Sequence, residues 1–305
     1  MANEITTTVN ANVINSEVLG IEIQESIKAA EIMWPLMTTR DISGEHTMVA
    51  SFPRFEGTSG SGFIAASVAE DAAGTNQDST LGEATVTCTE SQVTVYISKP
   101  ASRTSMPYYK AALASEIGRA LAEYRDAAAC ALLGGFTNVV GTPTVDITFP
   151  QMVSAITTLN LTAKGASHDA VFVLYPQQIG DLRALAFDAT QGLSTAMSRT
   201  DLINFLGGPN TVAPNAGVLN AYQGDFLGIP IFSSTHVTTA NVGADSAGGL
   251  IKISGALCGA SVWTNELDIA SCVSAGKSGE QWLGNQCVGV AEYNDNYGVS
   301  IITDR

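Results

Sequence analysis

Positive charge is what this chain has least of. Its 305 residues carry 14 Lys and Arg against 29 Asp and Glu, a formal charge of −15. No basic residue occurs between Arg54 and Lys99, or between Arg199 and Lys252. Duplex DNA is bound by clustered Lys and Arg that displace counterions, and such stretches cannot line a DNA-tracking groove. Weak, sequence-independent contact with nucleic acid is the most this balance allows. Cysteine is also sparse. The five, Cys88, Cys130, Cys258, Cys272 and Cys287, are odd in number and have no C-x-x-C spacing, which argues against a disulfide framework and for a reducing compartment. No run of 18 apolar residues occurs, so no membrane span is expected. Residues 1–15 lack a basic start and an apolar run, so no signal peptide is expected either.

Catalytic groups are equally hard to assemble. The histidines His46, His168 and His236 share no metal-ligand spacing, and His168-Asp169 reads as a surface turn. GKS at 276–278 imitates the end of a phosphate-binding loop, but the required first glycine is replaced by Ser271 and no helical run follows. No G-x-S-x-G elbow is present. Carboxylates such as Glu70-Asp71 read as solvent-facing turns, and Cys130 and Cys258 as small core residues rather than nucleophiles. We therefore assign no catalytic, cofactor-binding or metal-binding residue and expect no enzyme.

What is present is apolar content, 45% of residues against 14% charged, enough to bury a sizeable core and too much for disorder. The 29 glycines follow no collagen period and read as many turns between short elements. Residues 1–15 read as an extended polar arm. Ser16 is a candidate cap for a helix from about Glu17 to Met37, with Pro35 near its end. Residues 47–98 read as a two-stranded excursion whose middle, GTSGSG and EDAAGTNQDSTLGE, is too small and polar to make a core. The return strand ATVTCTESQVTVYIS places Val93, Val95 and Ile97 on one face. Thr104 or Ser105 followed by Pro107 predicts the start of a long helix over 105–133. Its apolar stripe runs through Tyr109, Leu113, Ile117, Leu121, Tyr124 and Leu132, Arg119 can pair with Glu123, and Gly134-Gly135 stops it.

Beyond residue 145 short helices and strands alternate. A helix is predicted near 150–160, a buried strand over 170–175, and a helix opened by Pro176. Residues 192–217 read as loop. YQGDFLGIPIFSS predicts a strand, a tight turn at Gly228 and a second strand. A loop is expected over 241–249, with strands near 250–256, 260–264, 286–292 and 298–303. Trp263, Trp282, Tyr293 and Tyr297 are candidates for core or for a subunit contact. The arm and the polar middle of the hairpin hold few anchors for a monomer core and are expected to order on assembly.

This order of elements resembles the HK97-like major capsid proteins of tailed bacteriophages over most of the chain. SFPRFEG, GFIAA, STLGEATVT and SQVTVYISK are similar to that family's extended loop, 105–133 to its spine helix, and DAVFVLYPQQIGDLRAL to a strand, proline and helix of its axial domain. GDFLGIPIFSS resembles its G-x-l-x-G-x-P-V-x-x-S segment. The resemblance implies an α+β fold with an N-terminal arm (1–45), extended loop hairpin (46–98), peripheral domain with spine helix (99–144), axial domain (145–260) and return strands (261–305).

It implies a shell subunit that forms pentamers and hexamers around double-stranded DNA in a virion head assembled in the host cytoplasm. A separate scaffolding protein is expected because 1–45 is too short for a cleaved scaffold segment, and a portal and a decoration or cement protein are further implied partners. The family's Lys–Asn crosslink uses a lysine on the extended loop, and 55–95 contains none, so no such crosslink is expected. The same fold builds encapsulin-like storage compartments, the alternative within this class. A soluble hydrolase or binding domain is the alternative outside it.

Overall fold

The computed structural model describes residues 31–56, 67, 68, 70, 74, 80–104, 107–163, 169–187, 221–240, 245–271 and 278–304. The arm at 1–15, most of the hairpin middle, the loop at 192–217, Ser105, His168 and Gly276-Lys277 lie outside these residues.

The first sheet has four strands. β1 (Thr38–Asp41) runs parallel to β11 (Leu257–Ser271), which pairs antiparallel with β12 (Gly279–Glu292), which pairs antiparallel with β4 (Thr89–Ser98). The predicted alternation on β4 holds: Ile97 is buried, Val93 and Val95 are partly buried, and Thr94 and Tyr96 face water. The reason is the long helix α2 (Pro107–Cys130), 24 residues and so about 36 Å long. Its Ile117 and Leu121 meet Ile97 and Trp282 on one face of this sheet. A short helix, α1 (Lys99–Thr104), precedes it. Thr104, expected to open the long helix, is the last residue of this short one. A 3-10 turn at Ala131–Gly135 ends the rod at the predicted glycines.

The opposite face of the first sheet carries a two-stranded hairpin. β2 (Val49–Glu56) pairs antiparallel with β3 (Thr80–Thr87) in full register from Val49↔Thr87 to Glu56↔Thr80. The return strand is not continuous. It breaks at Cys88, whose N–H donates to the Met48 carbonyl at 2.8 Å, so that β3 belongs to the hairpin and β4 to the sheet.

The second sheet has seven strands. β5 (Val139–Val140), β13 (Gly298–Asp304), β10 (Asp245–Lys252), β6 (Ala170–Leu174), β8 (Ile229–Ser233) and β7 (Tyr222–Phe226) lie in that order, and β9 (Thr239–Ala240) adds to β10. The β5–β13 and β6–β8 pairs are parallel and the others antiparallel. β6 reads as an unbroken apolar run because both of its faces are covered. Phe172 and Leu174 pack against α3 (Phe149–Thr162) and α4 (Pro176–Phe187). Val171 and Val173 pack against the end of α2 and against residues 32–37. α2 thus serves both sheets, its first half on one and its last turns on the other. The β7–β8 turn at Leu227-Gly228 has φ of 51° and 82°, the left-handed pair that a tight hairpin needs.

Two further expectations fail. Residues 31–37 are not α-helical: they hold a 3-10 turn, Trp34–Leu36, with Pro35 in its first positions, and lead into β1. The supposed loop over 241–249 is strand from Asp245 onward. Its small residues are dictated by packing, since a Cβ on Gly248 would sit 2.8 Å from the buried Gln178 Oε1 and 2.9 Å from a Leu174 methyl. The strands predicted near 260–264 and 286–292 are also longer than expected, at 15 and 14 residues.

Candidate assembly surfaces

Two joints stand out among the described residues. The first seats the hairpin. Phe52, Ala50, Ala84 and Val86 press onto Cys258, Ala260 and Cys287 of β11 and β12. The approach is close because residue 289 is glycine: a Cβ there would lie 2.3 Å from the Thr87 carbonyl oxygen. At the rim, Tyr293 closes on β2 in two directions. Its hydroxyl donates to the Pro53 carbonyl at 3.0 Å, and its own carbonyl accepts from Arg54 Nη1 at 2.5 Å. Its ring meets Phe52 edge-on, 6.3 Å between centroids. Burial pushes the Glu292 carboxyl above its usual range; Asp295 pushes the same way and Arg54 opposes.

The second joint holds residues 31–37 on α2. Asp126 Oδ1 accepts the N–H groups of Ile32 at 3.0 Å and Met33 at 2.7 Å. Arg125 Nη2 donates to Glu31 Oε2 at 2.9 Å, and its Nε lies 2.6 Å from Oε1, a charge contact without hydrogen-bond alignment. The guanidinium sits 4.8 Å from the centre of the Trp34 ring. From the second sheet, the Ser234 hydroxyl reaches Asp126 Oδ2 at 3.5 Å and accepts the His236 N–H at 3.2 Å. Burial raises the Asp126 pKa against the pull of these donors and of His236, and raises that of Glu31 against Arg125. This joint was not read from the sequence. Its signal was Arg125-Asp126, adjacent charges followed directly by the small residues Ala127, Ala128, Ala129 and Cys130.

The other singled-out residues do not converge. Trp282 is buried beneath α2, Trp263 and Tyr293 border the hairpin seat, and Tyr297 lies under Lys252, whose Nζ is 4.6 Å from the ring centre. They therefore stand in three clusters, not one patch. His46 is exposed in a left-handed conformation at φ 50°, far in sequence from His236 in the second joint. Cys130 and Cys258 are fully buried. Burial pushes the Cys130 thiol up to about 12 and those of Cys88 and Cys258 up to about 11, the opposite of a nucleophile. Among the described residues no group of three or more His, Cys, Asp or Glu could hold a metal. The expected Arg119–Glu123 ion pair forms on α2, with Glu116 as a second partner.

A spine helix spanning two sheets, an open mixed sheet with two helices on one face, and a hairpin rising from the first sheet make this the HK97-like capsid fold, as the order of elements implied. No protein-family model matches the sequence, and no curated protein does. Solved structures do. The capsid of cyanophage P-SCSP1u matches with a TM-score of 0.66 at 14% identity, covering 92% of this chain and 90% of that one. The capsid of an empty GTA particle matches at 0.62 and 13% identity, over 92% and 91%. The head of Helicobacter pylori bacteriophage KHP40 matches at 0.61 and 11%, over 92% of both chains.

Proposed function

We propose that this chain is a major capsid protein that self-assembles into the icosahedral shell of a virus head. The observation that carries the reading is the match to phage and GTA particle capsids over nine-tenths of the chain and nine-tenths of theirs. The two joints support it, because the buried polar groups of the second hold residues 31–37 on α2 and the apolar cluster of the first seats a hairpin, and neither forms a reacting centre. In this reading the chain is a structural protein and not an enzyme. The first sheet with α2 is the peripheral domain, the second sheet with α3 and α4 the axial domain, and β2–β3 the root of the extended loop.

Pentamers and hexamers are the assembling units. A separate scaffolding protein, a portal and a decoration or cement protein complete the partners, with assembly in the host cytoplasm. Contact with the packaged DNA is weak and non-specific, because 14 basic residues spread over 305 leave no basic stripe. The test is purification of the chain, alone and with its scaffold, followed by light scattering and electron microscopy over a range of salt. Closed shells are the expected result. A compact monomer under every condition overturns the reading.

A further inference from the structure

α3 turns an uncharged face to water. Between Asp146 and Lys164 the sequence holds no charged side chain, in a protein of net charge −15. Phe149, Met152, Ala155 and Leu159 bury the inner face on the second sheet. Outward, Val153 is 44% and Leu161 78% exposed, with exposed Thr157 midway between them at a spacing of four. The Thr157 hydroxyl is turned back onto the Val153 carbonyl at 2.9 Å, which spends its polar atom on the helix. What remains is a row of branched apolar side chains along one helix face. α2 shows the contrasting solution, where Arg119 lies between Glu116 and Glu123 and the outer face is charged.

We infer that the Val153–Thr157–Leu161 face of α3 is a contact between two copies of this chain. The occupant follows from charge. Copies at −15 repel one another, so a face that carries no charge is where two of them meet with the least repulsion, and its exposed apolar side chains gain from losing water there. The inference rests on the capsid reading and deepens it by assigning one of the surfaces that assembly uses.

The experiment compares wild type with V153D, L161D and the neutral control L161T. Each is first checked as a free subunit by its unfolding midpoint, then assembled and counted by electron microscopy. Both aspartate variants are expected to keep the midpoint and lose shell yield at least tenfold, with L161T close to wild type. Aspartate variants that assemble as well as wild type overturn the α3 contact and leave the capsid reading standing. A wild type that forms no shell sinks both.

Should the aspartates unfold the subunit, hydroxyl-radical labelling of wild type decides. Val153 and Leu161 are expected to be labelled in the free subunit and at least fivefold less in shells of this chain alone. Equal labelling, protection already present in the free subunit, or protection only when another protein is added, each overturns it.

Discussion

Asp126 and Met33 stand 93 positions apart in the chain, yet the carboxylate of one accepts the backbone N–H of the other at 2.7 Å inside the protein. The same oxygen also takes the Ile32 N–H. In D126A both donors are buried without an acceptor, and we expect a loss of about 2–4 kcal/mol. D126N keeps an oxygen in place and is expected to cost about half as much. Chemical denaturation of the free subunit measures both, and equal stability of D126A and wild type would remove the joint from the account.

The same joint sets a pH dependence. Asp126 and Glu31 both have folded-state pKa values raised, mainly by burial. The folded chain therefore holds protons that the unfolded chain has released, and stability falls as pH rises from the ordinary carboxylate range through the raised values. We expect the unfolding midpoint to increase as pH is lowered from neutral toward the ordinary carboxylate range, with a flatter profile in D126N. A midpoint that falls steadily over this interval, or an unaltered slope in D126N, contradicts the assignment.

At the hairpin seat, G289A places a methyl 2.3 Å from the Thr87 carbonyl oxygen. Such overpacking is expected to cost about 1–3 kcal/mol, and amide exchange along β2 and β3 should accelerate as their seat opens. Y293F, which loses only the hydroxyl bond to Pro53, is expected to cost no more than about 1.5 kcal/mol. Hydrogen exchange that is unchanged in G289A would show that the seat does not hold the hairpin.

The thiols should be inert. With Cys88 and Cys258 raised to about 11 and Cys130 to about 12, almost no thiolate exists near neutral pH, and burial blocks access. Alkylation of the native protein at about pH 8, read by mass spectrometry, is expected to spare these three and to modify them after unfolding. Fast native modification of Cys130 would contradict its buried place at the end of α2 against Ser234.

The sequence made visible those elements whose local pattern and final environment agree. α2 shows a helical apolar stripe because Leu113, Ile117 and Leu121 lie on one apolar core and Ala129 and Cys130 on another, although Tyr124, expected in that stripe, faces water. β6 shows an unbroken apolar run because both its faces are covered, and Gly228 marks a turn that demands positive φ. Where the environment is set by distant residues the local pattern misleads. Asp245 to Gly249 looks like a loop because Gln178 and Leu174 crowd the strand from another element. Residues 31–37 carry helical spacing, but Asp126 captures the N–H groups of Ile32 and Met33. No local pattern could show that a tyrosine 240 positions away would donate to the Pro53 carbonyl. The fold was therefore largely legible, and its joints were not.

α2 enters both cores without a break, with Ile117 and Leu121 in one and Ala129 and Cys130 in the other. A stack of consecutive backbone hydrogen bonds resists compression along its axis far better than an irregular connection resists bending. A push on one sheet therefore has a direct path to the other through this one helix.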